Sequence, residues 1–168
     1  AQTGQRGGLM RRFALLLALC AGLASCGFQL QSRLALPESI AVLAIDTDDR
    51  QSPFAQSLSE ALRGVGARID GSGGRALRVR IERDELLERV ASVSARNQPR
   101  EYELTYVVRY SVMRDGVYLV EAEEVTATRD FSFDERLALA KSREREQLRE
   151  TLARELAGVV LQRIASLN

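Results

Sequence analysis

The strictest constraint in this chain is an alternation. Tyr102, Leu104, Tyr106, Val108, Tyr110 and Val112 recur at every second position, the period of an extended strand, so six large apolar or aromatic groups share one face. A sheet with one covered face and one wet face satisfies such a segment. Asp115-Gly116 follows, a dipeptide suited to a two-residue hairpin turn, and Val117 to Phe131 returns with β-branched Val125, Thr126 and Thr128. Two long antiparallel strands are predicted. Tyr106 and Tyr110 are assigned to the helix-packed core rather than to a partner face.

Upstream, Ile40 to Ile45 is a continuous apolar run, the pattern of a central or parallel strand buried on both faces. Ser52 offers an N-cap, Pro53 suits a first helical position, and Phe54, Leu58, Ala61, Leu62 and Val65 form one helical stripe. Gly64 and Gly66 end that helix. After Gly71-Ser72-Gly73-Gly74, Leu77, Val79 and Ile81 alternate with Arg78, Arg80 and Glu82, a second strand with one wet face. Strand, helix and strand predict a right-handed crossover. Near the C-terminus, Ser132 and Glu135 have capping-box spacing, Leu137 to Lys141 stand open between irregular and helical, and Leu148, Leu152, Leu156, Val159, Val160 and Ile164 form a final stripe. The opposite face is rich in Arg and Glu, as in a solvated helix. The predicted fold is α+β, a β-α-β-β-β-α two-layer sandwich in which a four-stranded mixed sheet carries two helices on one face. The other face is left exposed, or meets something outside this chain.

The first residues stand apart from the fold. Met10 is followed by Arg11 and Arg12, then by the apolar run Phe13 to Leu23, broken only by Gly22. This is the layout of a signal peptide, and the run is about half of the ~20 apolar residues that span a bilayer. Residues 1–9 are polar and without pattern. Leu23-Ala24-Ser25-Cys26 resembles the bacterial lipobox, in which small residues precede a cysteine that is acylated and becomes the new N-terminus; the alternative is a conventional signal peptide with Cys26 merely following it. The expected organisation is upstream residues and signal peptide over 1–25 and one mature domain over 26–168, a length suited to one core. Cys20 would leave with the signal peptide, so of the two cysteines only the lipid-bearing Cys26 would remain and no disulfide could form. Cleavage also removes Arg6, Arg11 and Arg12 without any acid, leaving a mildly acidic domain that depends on its lipid for anchoring. By resemblance to lipoprotein sorting rules, Gly27 lacks the aspartate of inner-membrane retention, which favours the periplasmic side of the outer membrane.

The inventory of side chains removes whole classes of chemistry. There is no His and no Trp, so His-dependent triads, His general bases and His metal sites are excluded. Lys141 is the only lysine, the other basic residues are arginine, and the net charge is +1, so no polybasic signal for nucleic acid is present. Lys141-Ser142 is a poor dyad, because adjacent residues seldom face each other and a lysine on a wet helix stays protonated. Glu121, Glu123 and Glu124 do not converge as a cation site and read as a solvated edge. Gly71 to Gly74 precede a strand, whereas phosphate-binding glycine loops precede a helix. No catalytic residue, cofactor or metal site is expected.

Several segments, in order, carry a resemblance. Cys26-Gly27-Phe28-Gln29-Leu30 after the lipobox is followed by a strand and a short helix. Ala91-Ser92-Val93 then leads into Arg96-Asn97-Gln98 and Glu101-Tyr102, and Ala138-Leu139-Ala140-Lys141 opens a long amphipathic helix. Over essentially the whole mature chain this resembles the lipopolysaccharide-assembly lipoprotein family, LptE. The chain departs by stopping at Asn168 without a long polar tail and by carrying Phe28 where some members have Trp. The resemblance implies a non-enzymatic outer-membrane lipoprotein that sits as a plug inside the large β-barrel LptD, supports its assembly and helps pass lipopolysaccharide to the cell surface. The alternative is a periplasmic accessory lipoprotein of an ABC-type lipid transport system, or an envelope scaffold. The resemblance also places ligand-interacting basic residues at Arg96, in the polar loop Ala95 to Pro99, and at Lys141. The physical case agrees: a cation near a helix N-terminus is disfavoured unless an anion joins it, and a guanidinium can grip a phosphate of lipid A with two parallel hydrogen bonds. Ordinary surface pairing is the competing explanation, Lys141 with Glu144 or Glu135 and Arg96 with Glu101.

Overall fold

Residues 41–70 and 76–167 are described by the computed structural model and belong to one unit, Leu34–Asn168; the signal-peptide and Cys26 expectations lie outside the described residues. The chain runs β1 (Val42–Asp46), α1 (Pro53–Gly64), β2 (Arg68–Ile69), β3 (Leu77–Val93), β4 (Pro99–Arg114), β5 (Val117–Ser132), a 3₁₀ turn (Glu135–Leu137) and α2 (Ala138–Ala165). The sheet order is β2-β1-β3-β4-β5, with β1 parallel to both neighbours and β3, β4 and β5 antiparallel.

Among the described residues the sheet therefore has five strands, not the expected four. Gly66, at φ 89°, turns the chain back from α1. The N–H of Arg68 then donates to the carbonyl of Ala41 at 2.8 Å, and that of Asp70 to Leu43 at 2.9 Å. A two-residue strand has no periodicity to read. The class is unchanged, and β1 is central and parallel as its apolar run requires; it extends to Asp46.

Both ends of α1 follow the sequence. Ser52 is buried, and its Oγ accepts from the N–H of Ala55 at 3.0 Å while Pro53 takes the first helical position. The same hydroxyl donates to Asp84, and Asp84 also accepts from the Tyr106 hydroxyl at 2.6 Å. One carboxylate thus joins the cap of α1 to the centre of β4.

The predicted face of β4 is the core. Leu104, Tyr106, Val108, Tyr110 and Val112 are buried, together with Phe54, Leu58 and Leu62 of α1 and Leu152, Leu156, Val160 and Ile164 of α2. Val159 is corrected: it is 45% exposed, and Ala153, Ala157 and Leu161 complete the buried stripe instead. The capping box is corrected too. Ser132 is the last residue of β5 and its hydroxyl accepts from Lys141, while α2 starts at Ala138 with no side-chain cap from Leu137.

β3 and β5 each change register once or more along their length. A shift between Ile81 and Arg83 moves the core-facing positions of β3 from Leu77, Val79 and Ile81 to Asp84 and Leu86. In β5 the shift lies opposite Tyr110 to Val112, where Ala122 adopts φ 47°. The β4–β5 turn is the one the sequence predicts, with Asp115 at φ 50° and Gly116 at φ 81°, both positive as a type I′ turn needs. Nothing lies within 4 Å of a Cβ at Gly116 or at Gly158 inside α2. Gly116→Ala is therefore expected to destabilise through backbone strain alone, by ~1–2 kcal/mol. Gly158→Ala should stabilise by ~0.5–1 kcal/mol as a helix-interior replacement. Urea unfolding of the two variants checks the opposite signs.

Candidate functional site

The β3–β4 turn holds Arg96. The N–H of Ser94 donates to the Gln98 carbonyl at 2.7 Å, and that of Asn97 to the Ser94 carbonyl at 2.9 Å. Ser94 Oγ accepts from the backbone of Arg96 at 3.3 Å and of Gln98 at 3.2 Å. Asn97 takes φ 59°, a conformation asparagine tolerates. The turn satisfies itself internally, which leaves the Arg96 side chain exposed.

A second segment is drawn against this turn. The N–H of Phe133 donates to the Arg100 carbonyl at 2.8 Å, holding the exit of β5 beside the start of β4. The Phe133 ring stands edge-on to Tyr102, centroids 5.9 Å apart. Asp134 organises the 3₁₀ turn by accepting from the N–H of Arg136 at 3.0 Å through its carboxylate and from Leu137 at 3.0 Å through its carbonyl. Between the two segments is a cleft of about 380 Å³ lined by Arg96, Gln98, Pro99, Arg100, Phe133, Asp134 and Arg136. Three arginines and one aspartate line it. Such a cleft raises the local concentration of anions and offers planar, two-pronged donors to their oxygens.

Lys141 lies on the other side of Phe133. A smaller cleft of about 130 Å³ is lined by Glu88, Tyr102, Phe131, Phe133, Ala138, Lys141, Ser142 and Arg145. The ammonium stands 5.3 Å over the Phe131 ring, donates to Ser132 Oγ at 3.2 Å and pairs with Glu144 at 2.9 Å; the side chain is only 16% exposed. The structure thus brings Arg96 and Lys141 to one end of the sheet, on clefts that share an aromatic wall. Of the two competing surface pairs, Lys141 makes the one with Glu144. Arg96 does not pair with Glu101, whose carboxylate accepts from Ser92 at 2.8 Å. Arg100, Arg136 and Phe133 complete the arrangement and were not singled out by sequence. Their separation in the chain hides them, although the recurrence of arginine on both sides of the β3–β4 turn and after β5 is a signal.

The sheet face opposite the helices, uncovered among the described residues, is the second surface of interest. Arg80–Asp46 at 3.6 Å, Arg89–Glu103 at 3.0 Å and Arg109–Glu124 at 2.9 Å cross it from strand to strand, and Thr105 and Thr128 hydroxyls lie 3.1 Å apart. Glu123, on the helix side of β5, is held by Tyr110 and by Arg163, each at 3.1 Å. Exposed pairs of this kind contribute only ~0–1 kcal/mol each. They do keep the face polar: Val107 and Ser111 at its centre are buried beneath their neighbours.

A model of the LptE family, described as lipopolysaccharide-assembly, matches residues 38–164. The chain belongs to the LptE family. It is 26% identical over 163 residues to the LPS-assembly lipoprotein LptE of Pectobacterium atrosepticum, with 94% of this chain and 87% of that protein covered. Among solved structures, the rare lipoprotein B of Shewanella oneidensis is similar with a TM-score of 0.67 and 29% identity, covering 74% of this chain and 94% of that one. A lipoprotein B of Nitrosomonas europaea shares the fold with a TM-score of 0.68 at 21% identity, over 83% of this chain and 91% of that one. The LptE match spans the residues that line both clefts and all the described strands.

Proposed function

We propose that this chain is a non-enzymatic outer-membrane lipoprotein, anchored on the periplasmic side through lipid on Cys26, that plugs and helps assemble an LptD-type β-barrel and assists delivery of lipopolysaccharide to the outer leaflet. The observation that carries the barrel assignment is the polar sheet face opposite the helices, which no described element covers. Strands of 16 and 17 residues, with no second layer on this side among the described residues, present a lattice of charges and hydroxyls. Such a face suits the polar interior wall of a large barrel, where contacts are hydrogen-bonded and wet. In this assignment Arg96 and Lys141 receive phosphates of lipopolysaccharide, Arg96 from an open cleft and Lys141 by exchanging its bond to Glu144.

The test is extraction with mild detergent followed by capture of a tagged chain. A very large barrel protein should come down in stoichiometric amount; recovery of an ABC transport complex in its place would overturn the assignment in favour of an accessory lipoprotein. The anchor has its own check. Cys26→Ser should abolish palmitate labelling and leave an uncleaved or mis-sorted precursor, and labelling that persists in this variant would contradict the lipid site.

A further inference from the structure

The outer edge of β5 is open: among the described residues its one strand partner is β4. A row of free backbone donors and acceptors attracts another strand unless bulges or charges blunt it. The irregularity at Ala122 confines regular geometry to residues 123–132, and the charges along that stretch follow an order. Arg163 of α2 pairs with Glu123 at 3.1 Å, and Glu155 pairs with Arg129 at 2.7 Å. Positions 155, 159 and 163 stack on one face of a helix, so Val159 lies midway between the two ion pairs. It is the valine that the helix leaves out of the core. In the strand, Thr126 is the midpoint between Glu123 and Arg129. From one end of this flank to the other, cation over anion gives way to an apolar centre and then to anion over cation.

Such an order is its own complement under a twofold rotation. We propose that β5 pairs antiparallel with β5 of a second copy of this chain about an axis through Thr126, which continues the sheet across two molecules. Glu123 of each copy then faces Arg129 of the other, Val125 faces Ala127, and Glu124 faces Thr128. In the helix layer Arg163 comes beside Glu155 of the other copy, and Val159 meets its twin on the axis. Every contact occurs twice, as an isologous interface requires. The register is selected by charge. Moving the axis to Ala127 sets Glu124 directly against Asp130, a destabilising like-charge pair, and moving it to Val125 separates Glu123 from Arg129. An unrelated strand could use the backbone of this edge but would have no reason to mirror its charges. Pairing through β5 and seating inside a barrel exclude each other, so the dimer is the form of the chain outside the barrel, and the proposal stands apart from the lipopolysaccharide reading.

The experiment uses the full mature chain in detergent, its anchor on Cys26 and no barrel protein present. Sedimentation equilibrium at matched solvent density should give the mass of two chains at micromolar concentration. Thr126→Cys puts a thiol on the axis, where facing Cα atoms of an antiparallel pair stand ~4.5–5.5 Å apart, within reach of a disulfide. Thr128 would stand roughly 14 Å from its twin. Mild oxidation should therefore link the Thr126→Cys chain and link the Thr128→Cys chain about tenfold less or not at all. Val159→Glu added to Thr126→Cys sets two carboxylates across the axis and should cut the linkage by about tenfold at an unchanged melting temperature. Wild type that stays monomeric overturns the proposal, as does equal linkage at the two cysteines or undiminished linkage with Val159→Glu. A chain that is monomeric alone, yet shields the cysteine at 126 from maleimide once barrel protein is bound, would assign the edge to the barrel and overturn the dimer.

Discussion

Tyr106→Ala is expected to lower the free energy of unfolding by ~3–5 kcal/mol, the scale of emptying a buried aromatic site. Tyr106 is fully buried between α1 and α2, and its hydroxyl is one of two donors to Asp84. Truncation therefore removes a ring from the core and also leaves the carboxylate with the Ser52 bond alone. Tyr106→Phe separates the two losses, keeping the ring and removing the donor, and should cost ~1–2 kcal/mol. Burial first, and then the bond to Asp84, push the Tyr106 hydroxyl well above the ordinary tyrosine range; burial and then the bond to Glu123 do the same for Tyr110. Because the folded-state value is raised, this contribution is fully present below pH ~10, the unfolded tyrosine value, and is lost as pH rises above it. Thermal unfolding followed above pH ~10 should show the variant losing less stability per pH unit than the wild type. Equal alkaline slopes would contradict the assignment.

The second large effect is on ligand. Arg96→Glu combined with Lys141→Glu should weaken lipopolysaccharide binding ten- to a thousandfold at low ionic strength, since each charge-assisted hydrogen bond contributes ~1.5–3 kcal/mol. The defect should shrink as salt is added. Arg96→Glu should change stability little, because Arg96 is exposed on a turn that bonds itself through Ser94; Lys141→Glu should lower it, because that side chain is only 16% exposed, over the Phe131 ring and beside Glu144, so the melting temperature of each variant is read beside its binding. Arg96 carries the greater share of the prediction, because Lys141 must first leave Glu144 and Ser132. Titration of both single variants beside the double checks that order. Wild-type binding by the double variant at low salt would return these residues to ordinary surface.

The elements that sequence could reach are those with an intact local code. Tyr102 to Val112 keeps its period because β4 is flanked on both sides along nearly its whole length, whereas β3 is flanked by β1 only over Leu77–Arg80, and Ser52-Pro53 and Asp115-Gly116 are local instructions that need no tertiary knowledge. β3 was legible only as far as Ile81. Beyond the register shift at Arg83 the core-facing positions move by one, so Asp84 and Leu86 face inward while Leu87, Val90 and Val93 are exposed, and no fixed period describes them. β2 was invisible because two residues carry no pattern. Ser132 and Glu135 matched a cap by spacing, yet Ser132 is spent in β5 and in holding Lys141. Arg96 and Lys141 were reached through resemblance, while Arg100, Arg136 and Phe133 become a cleft only when the Phe133–Arg100 backbone bond joins two segments far apart in the chain.

The most direct test of the central claim is a photoreactive side chain placed at Thr126, on the uncovered face of β5, in living cells. Irradiation should yield one adduct, at the combined mass of this chain and a very large barrel-forming outer-membrane protein. No adduct, or one formed only with a component of an inner-membrane transporter, would contradict a sheet face that meets the wall of a barrel.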